Sequence, residues 1–374
     1  MKGHIRKKDS TWQYTVELDR DPISNKRKQK SKGGFRTKRE CEKAMAEMIV
    51  QIEQGEYFES KETLLKDYLH QWLEAIKNNI SEGTFVFYND IVDKIIIPKL
   101  GLIKINKLTP LSIQNFLTSE SKNKSGTTVR HYYNVLNISL NRALKWQLIQ
   151  VNPCNAVETP KKSQKKIKVL SPEESNNLLE YTQSCIFEVM YIPVLLALTC
   201  GMRRGEILGL KWDNINFEKN ILVVKNNLQL FNGTIKLTVP KTDKSARTIA
   251  LLPSTIKILK EHKKNQLKQK LLHSSEYNDE NFVCCWEDGR PIRPDYITQT
   301  FKKIIRHGNF LDVSFHDLRH THATLQLLKG VNPKIVSERL GHSRINMTLD
   351  TYSHVLPEMQ QQAVEKLAEI FKYS

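Results

Sequence analysis

Two histidines, an arginine and a tyrosine stand within HDLRHTHATLQLLKGVNPKIVSERLGHSRINMTLDTY (316–352): His316, Arg319, His342 and Tyr352. A guanidinium offers a planar fork of donors that matches phosphate oxygens, and an imidazole donates hydrogen bonds or carries protons near neutral pH. A phenol, with an ordinary pKa of about 10, attacks phosphorus once its proton is removed or its anion stabilised. This group of side chains suits phosphoryl transfer on nucleic acid through a tyrosine ester.

Helices and turns must hold these groups. His316 and Arg319 are spaced i, i+3 and share one helix face, with Leu318, Leu325, Leu327 and Leu328 available for burial. GVNPK (330–334) breaks that helix, and a second, Lys334 to Leu340, stops at Gly341 just before His342. A zinc site on His316, His320 and His322 is disfavoured, because Arg319 lies among them and no carboxylate or cysteine completes a ligand set. Asp317 is too isolated for a two-metal nuclease. His320 and His322 are read as structural.

The 374-residue chain is too long for one ordinary core, so two or three domains are expected. Its formal net charge of +18 favours polyanionic partners, nucleic acid above all. No membrane role is expected: the longest apolar run, Ile192 to Cys200, contains Pro193 and is far too short to span a bilayer. The basic N-terminus has no apolar stretch behind it, so no signal peptide is expected. Six cysteines form no CxxC pair, which fits a reducing cytoplasm and no metal ribbon.

Along the chain, residues 5–36 alternate like short strands, and residues 1–38 carry 12 Lys/Arg against four Asp/Glu, a charge density that suits a DNA-binding sheet. Thr37 with Glu40 makes a capping box for a helix over 37–54, closed by Gly55. A wholly helical stretch follows. One of its helices is expected from Thr84 to Ile97, ended by Pro98 and Gly101; Thr109–Pro110 starts another, and a third ends near Trp146. PKKSQKKIK (160–168) holds five lysines and no acid, the clearest linker in the chain. Beyond it, Ser171 caps a helix and three strand-like pieces follow: Ile221 to Lys225, Thr234 to Val239 and Thr248 to Leu251. A tail over 358–372 is amphipathic, and a neighbouring protomer is the expected cover for its apolar stripe.

Four motifs then converge: GMRRGEILGLKW (201–212), PKTDKSARTIAL (240–251), HDLRHTHA (316–323) and LGHSRINMTLDTYSH (340–354). In order and spacing they resemble the tyrosine recombinase (phage integrase) family, in particular integrases of phages and integrative conjugative elements. Carried over onto these positions, the resemblance makes Tyr352 the nucleophile. Arg203 and Arg319 become the phosphate clamp, His316 and His342 complete the phosphate site, and Lys241 is the general acid for the departing 5′ oxygen. Arg203 fits the motif rather than Arg204 because Glu206 then falls at +3, and Lys244 remains a competitor for Lys241.

The resemblance implies a multidomain chain. Residues 1–57 would be an arm-type DNA-binding domain, a three-stranded sheet plus helix, and 63–158 an all-α core-type DNA-binding bundle. Residues 159–168 would be a basic linker and 169–374 a mainly α, mixed α/β catalytic domain. It implies a site-specific recombinase that integrates, and excises, a mobile element through a 3′-phosphotyrosine intermediate, with no cofactor, metal or ATP. The expected partners are double-stranded DNA at core and arm sites, held in a clamp between bundle and catalytic domain, and a homotetramer on DNA. An excision factor and a DNA-bending protein are candidate accessories. Two other readings stay open: a type IB topoisomerase, which leaves the arm-like N-terminus unexplained, and a non-catalytic DNA-binding regulator.

Overall fold

The computed structural model describes residues 3–18, 27–53, 63–161, 168–231, 233–238 and 246–342, together with 344–346, 349 and 364. The chain divides into two compact units, Met1–Gln164 and Lys165–Ser374.

In the first unit, β1 (Gly3–Lys8), β2 (Thr11–Leu18) and β3 (Lys28–Phe35) form an antiparallel sheet in that order. Period-two alternation turns Tyr14 and Val16 of β2 inward, where they meet Cys41 of α1 (Lys38–Glu53). The capping box at Thr37 forms as expected: the Glu40 carboxylate accepts the Thr37 N–H at 3.2 Å and Thr37 Oγ1 accepts the Glu40 N–H at 3.2 Å. The expected close of this helix at Gly55 lies outside the described residues.

A helical bundle occupies the rest of this unit: α2 (Leu65–Ile76), α3 (Glu82–Ile91), α4 (Ile97–Leu100), α5 (Pro110–Ser121) and α6 (Gly126–Lys145). Its core is drawn from positions of period 3.6, with Leu65, Leu69, Trp72, Leu117 and Leu136 all fully buried. Each such side chain contributes about 1.5–3 kcal/mol by leaving water. One expectation fails here. The helix over this stretch starts earlier, at a Ser81 cap, and Gly101 ends it as expected but Pro98 does not: α3 passes through a π-helical turn, Val92–Ile96, into α4 with Pro98 in its first turn and Gly101 as its cap. Proline lacks a donor and crowds the carbonyl one turn back, and the wider turn just before it relieves both conflicts.

The second unit begins with α7 (Pro172–Ser184), α8 (Tyr191–Cys200) and the short α9 (Arg204–Leu208). Among the described residues five strands follow where three were expected: β4 (Ile215–Asn216), β5 (Ile221–Val224), β6 (Asn227–Phe231), β7 (Thr234–Thr238) and β8 (Arg247–Ala250). β4, β5 and β8 pair antiparallel in that order, and β6–β7 is a separate hairpin. β6 escapes sequence reading because NLQLF opens on an asparagine and becomes a strand only by pairing with β7. The unit closes with α10 (Pro253–His273), α11 (Pro294–His307), α12 (Asp317–Leu328) and α13 (Pro333–Leu340). Its main core wraps the almost wholly apolar α8, and a smaller one joins α12 to α13 through Ala323, Leu327, Val336 and Leu340. The tail expected to be helical, 358–372, lies outside the described residues apart from residue 364. No described helix is long and apolar enough to cross a membrane.

Candidate active site

Four helix ends build the site. α8 stops at Gly201, whose φ of +65° is left-handed and suits glycine. The chain then turns through Met202 into Arg203, extended at the cap of α9, where the Glu206 carboxylate accepts the Arg203 backbone N–H at 2.8 Å. His316 occupies the cap of α12, and the turn before it is fixed by Ser314, whose N–H and Oγ both donate to Asp317 Oδ2 at 2.7 Å. That contact gives Asp317 a positional role. α13 starts under an Asn332 cap and ends at Gly341, φ +67°, as the GVNPK and Gly341 signals predict. The His342 N–H then donates to Ser337 O at 3.0 Å.

Those ends meet through guanidinium groups. Arg319, only 3 % exposed, donates from Nη1 to Gly201 O at 2.7 Å and from Nη2 to Leu340 O at 2.6 Å. Arg203 donates from Nη2 to Gly341 O at 3.3 Å. Two cationic side chains from distant parts of the sequence are thus anchored on consecutive carbonyls, and His342 is the next residue. Arg204, adjacent in sequence, instead donates to Thr298 Oγ1 of α11.

The electrostatics follow from that crowding of positive charge. Burial, then Arg319 and Arg203, lower the His342 pKa to about 4. His316 is lowered by burial and by Arg319. His320, edge-on to His316 with ring centres 5.0 Å apart, is lowered to about 4 by burial and then by His316. At pH 7 these are neutral imidazoles, able to donate and to accept, and an arriving anion would raise their basicity. Burial works to raise the Glu206 pKa, but the hydrogen bonds and charge of Arg247, with Arg203, hold it at about 2.

Two residues escape sequence reading. Arg247, 8 % exposed, grips the Glu206 carboxylate from Nη1 and Nη2 at 3.1 and 2.8 Å, and its Nε donates to Arg339 O at 2.7 Å. Its signal was the alternation in RTIA, which puts Arg247 on the inward face with Ile249. Arg339 donates to Thr199 O at 3.0 Å and to His322 Nε2 at 3.2 Å, while His322 Nδ1 donates to Leu198 O at 2.7 Å. His322 therefore fastens α12 to the end of α8. Of the six expected site residues, Arg203, His316, Arg319 and His342 come together; Lys241, its competitor Lys244, and Tyr352 lie outside the described residues. Among the described residues no group of three His, Cys, Asp or Glu is placed to hold a metal ion.

The chain matches the phage integrase family over residues 168–359, an arm DNA-binding domain over 4–52 and a phage integrase N-terminal SAM-like domain over 64–120. It is 31 % identical to a protein named tyrosine recombinase XerC-like from Caldanaerobacter subterraneus subsp. tengcongensis, across 99 % of this chain and 98 % of that protein. It is 23 % identical to the ICEBs1 integrase of Bacillus subtilis, across 96 % of this chain and 97 % of that one. Among solved structures, the Tn1549 transposon integrase in complex with a circular intermediate DNA superposes with a TM-score of 0.71 at 19 % identity, covering 82 % of this chain and all of that one. A lambda integrase tetramer bound to a Holliday junction gives 0.61 at 18 % identity, covering 93 % and 94 %. With its sheet, bundle and mainly helical catalytic fold, the chain belongs to the phage integrase family of tyrosine recombinases.

Proposed function

We propose that this recombinase cuts and rejoins double-stranded DNA at attachment sites, integrating and excising a mobile element with Arg203, Lys241, His316, Arg319, His342 and Tyr352 as its catalytic set. The observation that carries the reading is the pair of guanidiniums, Arg203 and Arg319, held on the carbonyls of residues 341 and 340 with neutral His342 next to them.

The Tyr352 oxygen attacks the scissile phosphorus, forming a 3′-phosphotyrosine ester as the bond to the 5′ oxygen breaks. The transition state gathers charge on its equatorial oxygens, and Arg203 and Arg319 are fixed cations for that charge. Neutral His316 and His342 add N–H donors, with His316 suited to help move the tyrosine proton. Lys241 protonates the departing 5′ oxygen. The ester conserves the bond energy, so attack by a 5′-hydroxyl of the partner strand restores a phosphodiester and frees the tyrosine without ATP or metal.

Exposed Arg6, Lys7, Lys8, Lys30, Lys32 and Arg36 on the sheet and its flank suit arm-site phosphates, and 63–158 suits the core site. Exchange between two duplexes needs four cleavages, hence four protomers on DNA, with an excision factor and a DNA-bending protein as accessory partners and the bacterial cytoplasm as the setting. The test uses nicked duplexes tiled from the DNA that borders the gene, so that cleavage sheds a short 5′-hydroxyl strand and cannot reverse. Wild type should give a covalent protein–DNA band attached at the 3′ phosphate, and Tyr352→Phe none. Tight binding without a band on any duplex would overturn the reading in favour of a regulator; relaxation of plasmids lacking any site would favour a topoisomerase.

A further inference from the structure

We infer that Arg247 is a positioning residue that keeps the charge of Arg203 available to an anion by taking up the charge of Glu206. This rests on the proposed reading of Arg203 as a phosphate clamp.

Glu206 is 5 % exposed and Arg247 8 %. Four donors fill the carboxylate: Arg247 Nη1 and Arg203 Nη1 on Oε1, at 3.1 and 2.8 Å, and Arg247 Nη2 and the Arg203 N–H on Oε2, both at 2.8 Å. An ionised carboxylate has about four acceptor positions, so the group is saturated. Arg203 and Glu206 alone sum to zero, and a neutralised pair would meet a phosphate only as a dipole. With Arg247 the cluster is +1. Arg203 is its outer member, with 39 % of its side chain exposed against 6 % for each of the others. The surplus charge is therefore presented where an anion can reach it.

Arg247 also sets the geometry of the opposite wall. Its Nε holds Arg339 O, and a Cβ at Gly341 would lie 3.0 Å from both its Cδ and its Nη1. The turn that supplies Gly341 O to Arg203 is thus packed directly on the Arg247 guanidinium. Arg247 opens β8, the strand that follows the segment carrying Lys241 in the chain. One buried side chain thereby links three segments that each bear a proposed catalytic group.

Buried ion pairs are often only architectural, so the test must separate charge from scaffolding. Full-length wild type, Arg247→Met, Glu206→Gln, Arg247→Met/Glu206→Gln and Arg247→Lys are compared for single-turnover cleavage of the nicked duplex, for DNA affinity and for thermal unfolding. Arg247→Met should slow cleavage about 100-fold at unchanged affinity, because Glu206 then cancels Arg203. Adding Glu206→Gln, which removes that charge, should recover about tenfold of the rate. Arg247→Lys, which keeps the charge and loses the fork, should cleave within about tenfold of wild type and covers the case in which the Met variant does not fold. A double variant no faster than Arg247→Met with both folded, a wild-type rate for Arg247→Met, or Lys as slow as Met would each overturn the proposal. If wild type itself forms no covalent complex, the clamp reading fails instead.

Discussion

Lowering the pH from 7 to 5 should cost the catalytic unit about 2 kcal/mol through His322 alone. Burial, then the charge of Arg339, depress its pKa from 6.5 to about 4. The structural reason is plain: Nδ1 donates to Leu198 O, while Nε2 accepts from Arg339 Nε at 3.2 Å and from the Gln326 amide at 3.0 Å. A proton on Nε2 would face two donors, one of them a cation. The unfolded chain takes up that proton near 6.5, so the unfolded state binds more protons throughout the interval between 6.5 and about 4. Stability from this group is therefore whole above 6.5, falls as the pH drops through the interval, and levels out below about 4. At about 1.4 kcal/mol per pH unit below 6.5, the loss at pH 5 reaches about 2 kcal/mol. For a unit of this size that corresponds to a Tm lower by about 4–8 °C. The assay is thermal unfolding at both pH values for wild type and His322→Asn, which retains a donor near the Nδ1 position but cannot titrate. The variant starts less stable, since Arg339 Nε loses its acceptor, but its Tm should fall about 4–8 °C less between pH 7 and 5. The other histidines titrate in both proteins and cancel. An equal fall in the two would refute the assignment of a neutral, accepting Nε2.

Arg319→Lys replaces a fork that spans Gly201 O and Leu340 O by a point charge that cannot reach both. Urea titration should show a loss of about 2–3 kcal/mol and the nicked duplex a cleavage rate down about 100-fold; unchanged stability would contradict the bridge. Gly201→Ala puts a Cβ 2.5 Å from His322 Cδ2 at a φ of +65° and should destabilise by about 2 kcal/mol or more, read as a lowered urea midpoint. Cleavage should proceed equally in EDTA and in magnesium, because in the proposed reaction Arg203 and Arg319 supply the charge that a metal would otherwise provide; a tenfold loss in EDTA would count against the clamp.

Local rules read much of the chain. The box at Thr37–Glu40 closes as its spacing demands, Ser171 caps α7, and Thr109–Pro110 starts α5. Those signals are short-range, and no tertiary contact overrode them. Pro98 misled because a proline's conflict with a helix can be absorbed by the turn before it, which only packing decides. While Lys241 and Tyr352 lie outside the described residues, four of the six candidate site residues were legible as types that the fold brings together, Arg203, His316, Arg319 and His342. What holds them was not. Glu206 reads as a helix-start acid and Arg247 as one more basic residue among many, and their pairing spans forty-one positions and needs β8 to face inward. Arg339 and His322 are likewise joined only by the folded chain.

Besides the Glu206 carboxylate, the oxygens that hold the Arg203 and Arg319 guanidiniums are those of residues 201, 340 and 341, all of them main chain. A carbonyl comes with every amino acid, so no replacement at position 340 can delete the acceptor there; it can only displace it. Selection on this turn accordingly acts on shape and scarcely on residue identity, except at Gly341, where the backbone is left-handed and a Cβ would press on the Arg247 side chain at 3.0 Å. A randomised library across 337–341 should therefore return active clones that keep a helical pattern up to 340 and a glycine at 341, with wide freedom in which apolar side chain fills position 340. Such an arrangement lets the chain drift far in sequence while its reactive groups stay where they are.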